Sequence, residues 1–128
     1  MKPQILVVDD DPQVLKLFGK ILEDGGYAAR LVSSGDQVMP LLQREPFDLV
    51  VLDLSMPPPD GFELLKRLRS SMPGLLILVT SGYMHGALLK AAQLLGAAGT
   101  LPKTDAPRHL LEAVANLLPK HPRAKRER

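Results

Sequence analysis

The stretch Leu49-Val50-Val51-Leu52 is an unbroken apolar run that leads straight into Asp53, and Pro57-Pro58-Pro59-Asp60-Gly61 follows soon after. A short continuous apolar run bounded by turn residues reads as a strand buried on both faces, the kind found in parallel sheets. Asp53 then sits at or just past the carboxyl end of a central strand. In open α/β sheets that is the edge along which ligands bind. An ionised carboxylate there costs free energy unless something pairs with it.

The rest of the chain repeats the same alternation. Gln4 to Val8 is a first buried strand running into Asp9-Asp10-Asp11-Pro12. Pro12 suits the first helical position with Asp11 as N-cap, and Val14, Leu15, Leu17, Phe18, Ile21 and Leu22 follow at helical spacing until Gly25-Gly26. Tyr27 to Val32 is a second strand. Ser33-Ser34-Gly35-Asp36 opens a second helix through Arg44, which Pro40 should kink or cut short. After the Asp53 strand, Asp60 caps a helix from Gly61 to Ser71 with Phe62, Leu64, Leu65 and Leu68 as its buried stripe. Leu75 to Val79 is a fourth strand ending at Thr80-Ser81-Gly82, and a helix from Met84 to Leu95 stops at Gly96. Gly99 to Lys103 is a short fifth strand. Pro102 has no N–H for a ladder and so places this strand at the sheet edge. Ala106 to Leu118 is the last helix. The order βαβαβαβαβα implies one parallel sheet with helices on both faces.

At 128 residues, 45% hydrophobic and 23% charged, the chain is one ordinary globular domain, residues 1–118, with a tail at 119–128. It has no cysteine, which excludes disulfides and thiolate metal sites. No apolar run approaches the roughly 18 residues needed to span a bilayer, and Met1-Lys2-Pro3-Gln4 is not a signal peptide, so a cytoplasmic location and no membrane contact are expected. The net charge of +2 belongs to the tail, where Lys120, Arg123, Lys125, Arg126 and Arg128 stand against Glu127 and leave the body slightly acidic. Such an ending reads as a solvated tail or linker, and direct DNA binding is not expected of it.

Asp9-Asp10, Asp53, Thr80 and Lys103 all fall at carboxyl ends of strands. If the first strand neighbours the third, three carboxylates converge and would raise one another's pKa unless a cation intervenes. Hard oxygen ligands with open water positions suit Mg2+; calcium would want more oxygens, and zinc would want histidine or cysteine. Thr80 and Lys103 can hold the oxygens of an anion such as a phosphoryl group. Together these are the parts for in-line transfer of a phosphoryl group onto Asp53. Each residue has a plainer reading alone: a helix start for Asp9-Asp10-Asp11, a turn for Asp53, a strand-end hydroxyl for Thr80, a surface amine for Lys103. Their convergence on one sheet edge is what argues against those readings. His85, His109 and His121 lack ligand spacing and read as surface residues.

The succession Val7-Val8-Asp9-Asp10, Leu52-Asp53-Leu54-Ser55-Met56-Pro57 with Asp60-Gly61, Val79-Thr80-Ser81-Gly82 and Lys103 resembles the receiver domain of bacterial two-component response regulators, from residue 4 to about 118. The resemblance implies a flavodoxin-like (βα)5 doubly wound parallel sheet with strand order 2-1-3-4-5. It makes Asp53 the phosphoacceptor, fed by a histidine kinase or histidine phosphotransfer protein. It assigns Mg2+ to Asp10, Asp53 and the backbone carbonyl of Ser55, with Asp9 acting through water. Thr80 would hydrogen-bond the phosphoryl group, Lys103 would pair with it, and the small Ser81 would leave it room. The chain departs from the usual pattern in three places. Thr104 follows the lysine where proline is usual, with Pro102 before it; Thr100 stands where an aromatic ring normally swings inward; and Pro58 replaces a glycine.

The expected function is a phosphorylation-switched signalling module that catalyses only its own phosphorylation and dephosphorylation. The switching element would be the loop after Thr80 and the helix from Met84 to Leu95, acting on a downstream protein target or fused domain. A homodimer through the face of the fourth helix, fifth strand and fifth helix is a further expectation. Two rivals differ in class. An aspartate-nucleophile phosphatase would carry a second acid two residues after its nucleophile, where this chain has Ser55. A receiver-like interaction module that is never phosphorylated would not need Asp9, Asp10, Asp53, Thr80 and Lys103 intact.

Overall fold

The computed structural model describes residues 2–56, 61–82 and 86–119, and for 86–89 the backbone only. The elements are β1 (Gln4–Val8), α1 (Pro12–Asp24), β2 (Ala28–Val32), a 3-10 turn (Gly35–Gln37) leading into α2 (Val38–Arg44), and β3 (Leu49–Asp53). There follow α3 (Gly61–Ser71), β4 (Ile77–Ser81), α4 (Gly86–Leu94), β5 (Gly99–Pro102), a 3-10 turn (Lys103–Asp105) and α5 (Ala106–Leu117). The strands form one parallel sheet in the order β2-β1-β3-β4-β5.

Because side chains alternate across a strand, each central strand feeds both faces of the sheet. Leu6, Val8, Val50, Leu52, Ile77 and Val79 pack with Val38 and Leu41 of α2, Leu64, Leu65 and Leu68 of α3, and Ala92 of α4. Ile5, Val7, Leu49, Val51, Leu78 and Leu101 pack with Leu15, Phe18 and Leu22 of α1 and Ala106, Leu110 and Val114 of α5. The unbroken apolar runs of β1, β3 and β4 are thus accounted for by two cores, one on each side. At roughly 1.5–3 kcal/mol per buried large aliphatic side chain, this double burial is the main force holding the sheet.

The helix starts and stops follow local chemistry. Asp11 accepts from the Gln13 amide at 2.9 Å with Pro12 at the first helical position, as expected. Gly26 (φ 95°) and Gly96 (φ 101°) take the left-handed conformation just past α1 and α4, where a side chain would be strained. The structure shifts four boundaries. Tyr27 does not join β2, because its amide still bonds the Leu22 carbonyl of α1. Leu75 remains in the turn before β4: its amide bonds the Met72 carbonyl, and its own carbonyl accepts from Arg69 at 2.8 Å. The second helix is short, one of the two outcomes expected of Pro40. The chain forms a separate 3-10 turn first, and Pro40 falls in the first turn of a short α2, where no intrahelical N–H is needed from it. Pro102 ends the edge strand β5, and Lys103 begins the turn after it rather than extending the strand. The expected cap at Asp60, the start of the fourth helix at Met84, and Pro58, His85 and His121 lie outside the described residues. His109 is exposed on α5.

Candidate functional site

The parallel register brings the strand ends level. Val8 pairs with Leu52, Asp53 with Thr80, and Ser81 with Pro102. With neighbouring strands roughly 5 Å apart, Asp9 leaves β1 on one side of Asp53 and Thr80 stands on the other. Lys103, just past β5, reaches back over the edge of the sheet.

The sheet edge is deeply buried at this point. Asp53 is 0% exposed, Asp9 and Thr80 1%, and Ser81 3%, while Asp10 is exposed. Asp53 Oδ1 accepts from the Ser55 amide at 2.9 Å, and Asp9 Oδ1 accepts from the Asp11 amide at 2.9 Å. Each carboxylate is therefore fixed by the turn that follows its own strand. The second oxygens face one ammonium: Lys103 Nζ lies 3.1 Å from Asp53 Oδ2 and 2.8 Å from Asp9 Oδ2. The Lys103–Asp53 contact is a hydrogen bond. The Lys103–Asp9 contact, the shorter of the two, is a close ion pair and brings Asp9 Oδ2 to the same ammonium.

The charges respond to burial and to one another. Burial pushes the Asp9 carboxyl above its ordinary value and the Asp53 charge adds to this; Lys103 and the Asp11 amide work against it without cancelling it. Burial acts on Lys103 in the downward sense, and its contacts with Asp9 and Asp53 outweigh that, so the ammonium form is favoured. One cation thus faces two buried carboxylates.

Carboxylate oxygens of Asp9, Asp10 and Asp53 lie within 4.8 Å of one another. An all-oxygen acidic set with one member exposed fits a hard divalent cation that keeps part of its water shell. Among the described residues no histidine joins it, which is the wrong donor set for zinc. The residues present therefore fit Mg2+.

Asp9, Asp10, Asp53 and Lys103 come together at this edge, Thr80 stands opposite Asp53 in register on β4, and the Ser55 amide bonds Asp53 Oδ1. Two contributors were not legible as such. Gly61 opens α3 so close to the strand end that a Cβ there would collide with the Asp53 carbonyl oxygen and the Leu54 Cα. Asp60-Gly61 as a pair hinted at a helix start, and only the packing shows why glycine is required. The second is a pair of hydroxyls: Ser55 Oγ and Ser81 Oγ lie 3.1 Å apart. Thr104 is exposed in the turn after β5, and Thr100 is half-buried opposite Val79.

Comparison with known proteins gives a match to the response regulator receiver domain over residues 5–115. The transcriptional regulatory protein BaeR of Escherichia coli O6:H1 is 33% identical over 116 residues, covering 91% of this chain and 48% of BaeR. The transcriptional activator protein ExaE of Pseudomonas putida is 35% identical over 119 residues, covering 91% of this chain and 56% of ExaE. The chain thus spans about half the length of these relatives. Among solved structures, a CheY-like receiver domain protein from Methanospirillum hungatei superposes with a TM-score of 0.83 at 28% identity, covering 91% of this chain and 93% of that one. The chemotaxis protein CheY4 of Vibrio cholerae gives 0.85 at 27% identity, covering 92% of this chain and 100% of CheY4.

Proposed function

The chain belongs to the response regulator receiver domain family, and on that premise we propose that it is the phosphoacceptor module of a two-component phosphorelay, with Asp53 as the acceptor. The observation that carries this is the placement of Asp53: fully buried at the end of the central strand, within 4.8 Å of two further carboxylates and 3.1 Å from an ammonium.

The donor is a phosphohistidine on a histidine kinase or phosphotransfer protein. An Asp53 oxygen attacks phosphorus in line; the new O–P bond forms as the P–N bond breaks, and the histidine nitrogen leaves with its electron pair. Asp10, Asp53 and the Ser55 backbone carbonyl would hold Mg2+, with Asp9 acting through water, and the chemistry the ion supplies when bound is neutralisation of charge on the phosphoryl oxygens. Lys103 turns from the carboxylates to pair with the arriving phosphoryl group, and the Thr80 hydroxyl donates to one of its oxygens. Ser81 is small enough to leave the group room.

The product carries about −1.5 to −2 further charges in a site already rich in carboxylates. That change is read by the loop after Thr80 and by α4, and from there by a downstream protein or a fused domain. The named relatives are longer transcriptional regulators, which suits an output domain elsewhere in such a chain.

The test is incubation with a small phosphodonor and Mg2+, read by intact mass. The expected result is a gain of one phosphoryl group that requires Mg2+ and is lost in Asp53→Asn. A folded protein that binds Mg2+ and takes up no phosphoryl group would overturn the proposal and leave a constitutive interaction module.

A further inference from the structure

The strand end that carries Asp53 continues directly into the turn Leu54-Ser55, and that turn is fastened to the neighbouring strand. The Leu54 amide bonds the Thr80 carbonyl at 2.9 Å. The Ser55 amide bonds Asp53 Oδ1 at 2.9 Å, and the Ser55 hydroxyl meets the Ser81 hydroxyl at 3.1 Å. Ser81 is 3% exposed and is the last residue of β4, paired with Pro102, so its own position is set by the sheet. Ser55 is the exposed residue between two core residues, Leu54 and Met56, whose packing holds the turn on either side of it.

We infer that Ser81 is a positioning residue for the cation: through its hydroxyl it anchors Ser55, and thereby orients both the Ser55 backbone carbonyl and the Asp53 carboxylate toward Mg2+. This rests on the phosphoacceptor reading above and assigns the two hydroxyls a part in it. Core packing of Leu54 and Met56 fixes the turn at both ends, and the hydroxyl contact fixes its middle residue, so the Ser55 carbonyl and amide are presented in one arrangement before the cation binds. The pair joins the loop after β3 to the end of β4. Neither hydroxyl needs to touch the cation for this.

The experiment is a Mg2+ titration of the full chain followed by amide chemical shifts, for the wild type, Ser55→Ala, Ser81→Ala and the double variant. Each single variant should bind Mg2+ roughly three- to tenfold more weakly, the factor that one modest hydrogen bond represents. The double variant should be no weaker than either single one, since removing either hydroxyl already breaks the contact. Ser55 is exposed, so Ser55→Ala folds and reports even if the buried Ser81→Ala is compromised. Single variants that bind Mg2+ as tightly as the wild type, or effects that simply add, would overturn the inference alone. A wild-type chain that takes no Mg2+ would overturn the reading of the site together with it.

Discussion

At the scale of single residues, the site is a balance between one lysine and two buried aspartates. Asp9 is the strained member: its carboxyl is raised above its ordinary value of 3.8, with burial as the chief cause. The folded state therefore holds the Asp9 proton more tightly than the unfolded chain does. As pH rises past 3.8, ionisation of Asp9 weighs against the metal-free fold. Asp9→Asn removes that loss while keeping an oxygen that can accept from the Asp11 amide. It should raise the metal-free melting temperature at neutral pH, net of the lost pairing with Lys103, with the gain shrinking as pH falls toward 3.8. The same variant should bind Mg2+ at least about tenfold more weakly. Thermal melts across pH, with and without Mg2+, check both halves; a variant less stable than the wild type in the absence of metal would contradict the account of Asp9.

At the scale of elements, the decisive contact is the approach of α3 to the end of β3. The first residue of α3 lies against the backbone of Asp53 and Leu54, with no space for a methyl group. Gly61→Ala must push either the helix or the turn after β3 aside, and should cost about 1–3 kcal/mol. If Asp53 is the acceptor as proposed, the variant should also slow its phosphorylation, because the displaced atoms are those of Asp53 and Leu54. Gly74→Ala is the matched control: a Cβ there meets nothing within 4 Å, and both stability and phosphorylation should be nearly unchanged. Denaturant melts and initial phosphorylation rates for the two variants decide the matter.

At the scale of the whole molecule, two apolar layers share one sheet, so neither can be lost without the other. Leu65 and Leu110 are both fully buried, one in each layer. Leu65→Ala and Leu110→Ala should each cost about 2–5 kcal/mol, and each should leave a single cooperative transition, since β1, β3 and β4 contribute side chains to both layers. Circular dichroism and amide signals from opposite faces should melt together. Separate midpoints for the two faces would show that the layers unfold independently. The open edge of the sheet is covered in part: the Ala29 amide on β2 donates to Glu23 Oε2 at 2.9 Å rather than facing outward unpaired. Among the described residues no helix is long and apolar enough to cross a membrane.

Much of this protein follows from local chemistry that a sequence displays. Unbroken apolar runs imply strands buried on both faces, Asp11-Pro12 and the glycines at 26 and 96 mark helix ends, and five polar residues at strand ends suggest a site. These are legible because each depends on the residue itself and its near neighbours. The tertiary structure decided what depends on distant parts of the chain. Tyr27 and Leu75 stay out of their strands because a helix carbonyl and a turn carbonyl claim their amides. Lys103 bridges Asp9 and Asp53 because β1, β3, β4 and β5 lie side by side in register, which brings residues 94 and 50 positions away to one ammonium. The Ser55–Ser81 pair and the need for glycine at 61 follow from the same juxtaposition. Spacing along a chain fixes how an element begins and ends, whereas the meeting of two elements is set by packing across the sheet, and the chemistry of this site resides in those meetings.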